Sequence, residues 1–246
     1  MNYRIIPLVL SKYVGEKGVM TFLTDYGEPI LRPFVMWCIQ GADKNIIVDT
    51  AIEVKDYKNY HPDFRNLSLD TVMTFDQALS AVNLTADEVD IVIQTHLHFD
   101  HCFNTARCVN AKVLVQKDEL EFAQAPGPFE GVYRSDLFKN LDFQLISGDH
   151  KLFDGIELIH VPGHSPGCQA VSVRTDKGTV VISGFCSVME NFYPEKAHPM
   201  VGNSVVLPGI FTNALEAYQS VLKVRERADI ILPLHDPDVV NMSAIP

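Results

Sequence analysis

The segment Ile91-Val-Ile-Gln-Thr95-His-Leu-His-Phe-Asp-His101 constrains this chain more than any other. A short β-branched run, which reads as a buried strand, leads straight into His96, His98, Asp100 and His101. Residues two apart on an extended backbone point the same way, so His96 and His98 can face one metal ion together. Asp100 and His101 come where the strand should end and turn, and can face a neighbouring point. Such convergence of imidazole and carboxylate donors is what a divalent metal site needs. A single histidine in this chain reads more simply as a surface or core residue; four ligand-type side chains in six positions do not.

Around this segment, apolar runs separated by turn residues predict strands at Ile5–Leu10, Phe34–Ile39, Asn45–Val48, Ile91–Gln94, Lys112–Val115, Phe143–Ile146, Ile156–His160, Ala170–Val173, Val180–Ile182 and Ile230–Leu232. Helical patterns fall at Thr74–Val82, at Gln116–Gln124 and at Asn213–Glu226, and Thr85 is placed to cap another helix. In Asn213–Glu226 the apolar residues Leu215, Tyr218, Val221, Leu222 and Val224 lie mainly on one face. Strands interleaved with helices imply sheets covered by helices. No repeat and no Gly/Ser linker divides the 246 residues, which predicts one domain over 1–246. Ala125–Asn140, with Pro126, Gly127, Pro128 and Gly131, reads as an irregular lid beside a site or as a plain surface excursion.

Hydrophobic residues at 47% and charged residues at 21% fit a globular protein. The net charge of −11 repels phosphate backbones and argues against nucleic acid as a partner. The first apolar run, in Met1–Tyr13, is too short to span a membrane, lacks a signal-peptide cleavage pattern and reads as a first strand. Cys38, Cys102, Cys108, Cys168 and Cys186 form no CxxC pair, and their odd number suggests reduced thiols, hence a cytoplasmic protein. The sequons at Asn66 and Asn83 then carry no weight.

The His96–His101 segment closely resembles the HxHxDH signature of the metallo-β-lactamase superfamily. The likeness continues at Asn45-Ile-Ile-Val-Asp49-Thr, at Val161-Pro-Gly-His164-Ser-Pro-Gly and at Leu232-Pro-Leu-His235-Asp. It implies an α/β (α+β) fold, a four-layer αββα sandwich with metals at one rim. It further implies that His96, His98 and His164 hold a first ion, that Asp100, His101 and His235 hold a second, and that Asp49 orients a ligand. Two zinc ions per chain are expected, with manganese or iron as the alternatives. Such a pair would generate a metal-bound hydroxide that attacks a polarised carbonyl, with Asp100 as the catalytic carboxylate. His61, His150, His160 and His198 have no motif partner and read as structural or surface residues.

The resemblance breaks after Thr179-Val-Val-Ile-Ser-Gly184. The superfamily places a metal-bridging aspartate there; this chain has Phe185, followed by Cys186. A Cys186 thiolate would restore the missing negative charge and would favour zinc, so Cys186 is a candidate metal ligand, with an inert buried thiol as the alternative. Cys102 and Cys168 read as packing residues.

Within the superfamily, Pro33–Gly41, Thr95–Asn104 and His235–Val239 most resemble the N-acyl homoserine lactonase group. That implies opening of a lactone or similar cyclic ester or amide, although Phe185 and the lack of a nearby tyrosine speak against homoserine lactones themselves. Phe22, Trp37, Phe99, Phe129, Tyr133, Met189 and Phe192 are candidates for the pocket wall, with core packing as the alternative for each. The partner expected is a small-molecule substrate, with no nucleic acid and no membrane; a homodimer stays open. The rival readings are a glyoxalase-like thioesterase, an iron dioxygenase, and a non-catalytic metal-binding relative on the same fold.

Overall fold

The structure, a computed structural model, describes residues 3–60, 69–128, 130–195 and 204–246. His61, Asn66, Phe129 and His198 lie outside the described residues.

Twelve strands among the described residues form two mixed sheets. They are β1 (Arg4–Glu16), β2 (Pro29–Gln40), β3 (Ile46–Val48), β4 (Leu69–Thr71), β5 (Ile91–Ile93), β6 (Lys112–Gln116), β7 (Phe143–Ile146), β8 (His150–Phe153), β9 (Ile156–His160), β10 (Gln169–Thr175), β11 (Gly178–Ile182) and β12 (Ile230–Leu232). The first sheet runs β4-β1-β2-β3-β5-β6-β7 and the second β12-β11-β10-β9-β8. The helices are α1 (Val54–Tyr60), α2 (Phe75–Ser80), α3 (Phe99–Cys102), α4 (Lys117–Gln124), α5 (Ser135–Phe138), α6 (Met189–Phe192) and α7 (Ala214–Arg227).

Side-chain alternation along the strands builds four layers. Ile46 and Val48, Ile91 and Ile93, and Val180 and Ile182 enter one core between the sheets, with Trp37 among them. The intervening Ile47 and Val92 face outward and pack with Phe75, Ala78 and Leu79 of α2. Val181 faces outward on the other side, against Val221 and Val224 of α7. The order is therefore helix, sheet, sheet, helix.

Local chemistry sets the helix ends. The Thr74 hydroxyl accepts from Gln77 N at 3.2 Å while the Gln77 side chain accepts from Thr74 N, a capping box that starts α2. Asn213 Oδ1 accepts from Leu215 N and Glu216 N and starts α7. Thr85 heads only a single 3-10 turn over Ala86–Glu88, because Val89 returns to extended backbone to enter β5. Leu215 is 65% exposed, so the buried face of α7 rests on Ala217, Val221 and Val224 instead.

Two strands are much longer than their apolar runs. β1 and β2 pair antiparallel from Arg4↔Gln40 out to Glu16↔Pro29, with a register shift between Val9 and Ser11. Their polar outer halves, including Ser11, Lys12, Arg32 and Pro33, break the hydrophobic pattern that marks a strand. The short strands β4 and β8 and the helix α1 also lack that pattern. All five cysteines are free and buried. Among the described residues no helix is long and apolar enough to cross a membrane.

The segments that bear the candidate site all leave from the carboxyl ends of strands that run parallel within their own sheet. β3 and β5 are parallel neighbours, as are β11 and β12, and β9 runs parallel to β11 through the antiparallel β10 between them. Asp49 follows β3, His96 follows β5, His164 follows β9, Cys186 follows β11 and His235 follows β12. Carboxyl ends of strands are where such sheets place ligands.

At the end of β11, Gly184 has φ 80° and a Cβ there would lie 2.0 Å from the Gln169 carbonyl oxygen. Gly184→Ala is therefore expected to lower the unfolding free energy by about 2 kcal/mol or more. Urea denaturation reads this as a lower midpoint; an unchanged midpoint would contradict the close packing of β11 on β10.

Candidate metal centre

The segment after β5 is not strand up to His98. β5 ends at Ile93, the chain bends at Thr95, and His98, in extended conformation, caps the one-turn helix α3 that bears Asp100 and His101. This arrangement still gathers the donors. The ligand-type atoms of His96, His98 and His164 lie within 4.8 Å of one another, as do those of Asp100, His101 and His235. The two groups adjoin: the His96 and His101 ring centroids are 4.1 Å apart.

Four of the five imidazoles are fixed through Nδ1. His101 Nδ1 donates to Asp49 Oδ2 at 2.9 Å, His164 Nδ1 to the Ile210 carbonyl at 2.9 Å, and His235 Nδ1 to the Pro33 carbonyl at 3.0 Å. His96 Nδ1 lies 3.0 Å from Thr95 Oγ1, whose proton goes to Asp49 Oδ2 at 2.8 Å, so His96 is the donor of that pair. These bonds select the tautomer with a bare Nε2. The Nε2 atoms of His96 and His98 are buried with no hydrogen-bond partner. A buried polar atom without a partner costs free energy, which a divalent cation at this point would recover. The residues thus fit a metal pair on their own chemistry.

Electrostatics agree. Burial holds His96, His98 and His235 well below the usual imidazole range, and His164 down to about 4, so these rings stay neutral and able to ligate. His101 differs: burial again lowers it, but the carboxylates of Asp100 and Asp49 outweigh burial and raise it overall.

Two buried carboxylates organise the loops. Asp49, at φ 55°, accepts from Thr95 N and Thr95 Oγ1 as well as from His101. Asn104 secures this strained turn by donating to the carbonyls of Thr50 and Ala51. Glu119, fully buried on α4, accepts from Leu97 N at 2.8 Å, Tyr133 Oη at 2.9 Å and Ser165 Oγ at 2.5 Å. It therefore ties the loop of His96 and His98 to the loop of His164. In sequence Glu119 looks like any first-turn helix carboxylate. Only the folded chain marks it, where a Cβ on Gly167 would meet Glu119 N at 2.1 Å.

The donors open into a cavity of about 460 Å³, walled by Tyr13, Phe34, Tyr57 and Phe99 and including Arg32 and Cys186. Of the residues expected there, Phe99 alone among the described ones lines it, and Phe129 lies outside the described residues. Trp37 and Phe192 are core residues, Phe22 packs edge-on against Phe211, Met189 is on the surface, and Tyr133 packs on His98. The long β1–β2 arm supplies Tyr13, Arg32 and Phe34, and α1 adds Tyr57. Residues 130–140 lie beside the site and are no surface excursion: Phe99 N donates to the Val132 carbonyl, and Phe138 is buried.

Phe185 is buried against Phe192 and offers no ligand atom. Cys186 lines the cavity but belongs to neither donor group; its Sγ accepts from Arg32 Nη2 at 3.8 Å. Burial pushes its thiol up to about 11, partly offset by Arg32. Cys102 Sγ donates to the Leu97 carbonyl and Cys168 Sγ to the Gly184 carbonyl, as packing residues do. His160 donates to the Pro166 carbonyl, and His150 sits on β8.

Residues 34–185 match the family profile described as the metallo-beta-lactamase superfamily. An N-acyl homoserine lactonase of Bacillus sp is 29% identical over 178 residues, which cover 69% of this chain and 70% of that protein. The N-acyl homoserine lactonase AttM of Rhizobium radiobacter is 30% identical over 174 residues, covering 65% and 63%. The crystal structure of a quorum-quenching N-acyl homoserine lactone lactonase superposes with a TM-score of 0.77 at 21% identity, over 97% of this chain and 94% of that one. The structure of AidC, a dizinc quorum-quenching lactonase, superposes with a TM-score of 0.67 at 14% identity, over 96% and 88%. These superpositions establish the fold as the αββα sandwich expected.

Glu119→Ala leaves three buried donors without an acceptor and is expected to cost roughly 3 kcal/mol or more. Asp49→Ala frees the rings of His96 and His101 and is expected to weaken zinc binding about 10–100-fold. Calorimetric unfolding and zinc titration measure the two effects; wild-type values in either would contradict the corresponding role.

Proposed function

The chain belongs to the metallo-β-lactamase superfamily, and on that premise we propose that it is a divalent-metal-dependent hydrolase that opens a lactone or a closely related cyclic ester. The observation that carries this reading is the paired donor set at the rim, with partnerless, buried Nε2 atoms on His96 and His98 and with His98, Asp100, His101, His164 and His235 lining a largely apolar cavity. The relatives named N-acyl homoserine lactonase support the reaction class.

In this reading His96, His98 and His164 hold one ion, and Asp100, His101 and His235 hold the other. Two zinc ions suit the imidazole-rich set. When bound, such ions supply Lewis-acid polarisation and an acidified water at neutral pH. The chain's own groups do the rest. Asp100, partly exposed at the cavity, is placed to take a proton at its carboxylate and return it to the leaving alcohol. Tyr13, whose phenol burial keeps protonated and which hydrogen-bonds with Tyr57, offers an O–H donor to a substrate oxygen. Phe34 and Phe99 shield the ring from water and hold its apolar part. Cys186 stays outside the proposed donor set, with Arg32 as its partner.

The test is turnover of a panel of γ- and δ-lactones by zinc-loaded protein, followed as acid release. Activity is expected with metal, with a loss of about 100-fold or more in His96→Ala and in Asp100→Asn. Absence of turnover with fully loaded protein across lactones and aryl esters would sink the reading. In parallel, Cys186→Ala is expected to keep the wild-type metal content; loss of an ion would return Cys186 to the donor set.

A further inference from the structure

Arg32 is the one guanidinium among the described residues that line the cavity; the Asp100 carboxylate favours its charge from a distance but makes no ion pair with it. Arg32 is only 9% exposed, and among the described residues no carboxylate lies within ion-pair distance of it. Its Nε is buried with no hydrogen-bond partner, and Nη2 has only the Cys186 sulfur, a weak acceptor, at 3.8 Å. The Tyr13 ring, directly across the β1–β2 pair, lies under the guanidinium at 5.2 Å. That stacking positions the fork without neutralising it. An unpaired buried charge is costly wherever it persists, and this one persists in the wall of a substrate-sized cavity.

The β1–β2 arm fixes where the fork points. Pro33, the next residue, accepts the His235 Nδ1 bond through its carbonyl, so the strand that carries Arg32 is tied to the donor groups. Arg32 and Phe34 flank Pro33 and, two apart on the strand, both line the cavity. A molecule seated at the donors therefore shares one cavity with the guanidinium.

We propose that Arg32 is a specificity-determining residue that binds a carboxylate carried by the substrate in addition to its cyclic ester. A guanidinium presents parallel N–H donors that match a carboxylate two-to-two. The other walls, Phe34, Tyr57, Phe99, Val132 and Ile210, select an apolar skeleton for the same molecule. The substrate class is therefore an anionic, otherwise apolar lactone. This deepens the hydrolase reading and rests on it for the word substrate; the anion site itself does not.

The test compares phenylacetate with its neutral counterpart phenylacetamide, titrated calorimetrically into zinc-loaded wild type, Arg32→Met and Arg32→Lys. Wild type is expected to prefer phenylacetate, and Arg32→Met to lose about 10-fold or more in affinity for it. Arg32→Lys keeps part of that affinity, and phenylacetamide changes less than twofold throughout. Because carboxylates also approach metal ions, the difference between variants, and not the wild-type affinity alone, reads the guanidinium. No preference for the anion in wild type, or equal losses for both probes in Arg32→Met, would overturn the proposal. Intact Arg32-dependent anion binding without lactone turnover would overturn only the hydrolase reading. Turnover of neutral lactones with an anion affinity indifferent to Arg32 would overturn only this one.

Discussion

One carboxylate holds the rim of this molecule together. Asp49, at the end of β3, closes hydrogen bonds to the backbone and hydroxyl of Thr95 at the end of β5, and to the ring of His101 beyond it. Through the Thr95 hydroxyl it also sets the tautomer of His96. Two parallel strands thus end in a shared clasp, and one residue from each donor group takes its orientation from the same two oxygens. The left-handed backbone at Asp49 and Ala51 is the local strain this clasp requires, and the bonds from Asn104 keep it in place.

The second half of the site rests on different supports. His164 leans on the Ile210 carbonyl and His235 on the Pro33 carbonyl, in segments remote in sequence from each ring. Glu119 joins the halves from below, through Leu97 and Ser165. Side chains held this way lose little freedom on ligation, so a cation finds a site already shaped for it. The arrangement also explains why Phe185 is tolerated. The donors are fixed by bonds to Asp49, backbone carbonyls and Glu119, and none of these passes through the position of the missing aspartate.

The layered fold was legible because its core strands are continuous apolar runs bounded by turn residues. Ile46, Ile47 and Val48, or Val180, Val181 and Ile182, are apolar on both faces, as strands buried between a helix layer and a second sheet must be. The five histidines and Asp100 were legible because metal ligation demands particular residue types at particular spacings. What escaped reading has the opposite character. The outer arm of β1 and β2 carries Ser11, Lys12, Arg32 and Pro33, and strand pairing there comes from backbone bonds that leave no hydrophobic signature. Much of the cavity wall lies on that arm, so Tyr13, Arg32 and Phe34 escaped the pattern. Glu119 was invisible for another reason: its burial depends on a loop that reaches it only in three dimensions. Cys186 was visible as an anomaly, and its Arg32 contact was not, because the two are 154 positions apart.

The central claim is that His96, His98 and His164, beside Asp100, His101 and His235, form one cation-binding rim. Anomalous X-ray diffraction at the zinc edge, on crystals of the zinc-loaded protein, tests it most directly. The account predicts two adjacent peaks, one within bonding distance of each group and both facing the Tyr13–Phe99 cavity. A map with no peak at these side chains, in protein shown to contain zinc, would contradict it.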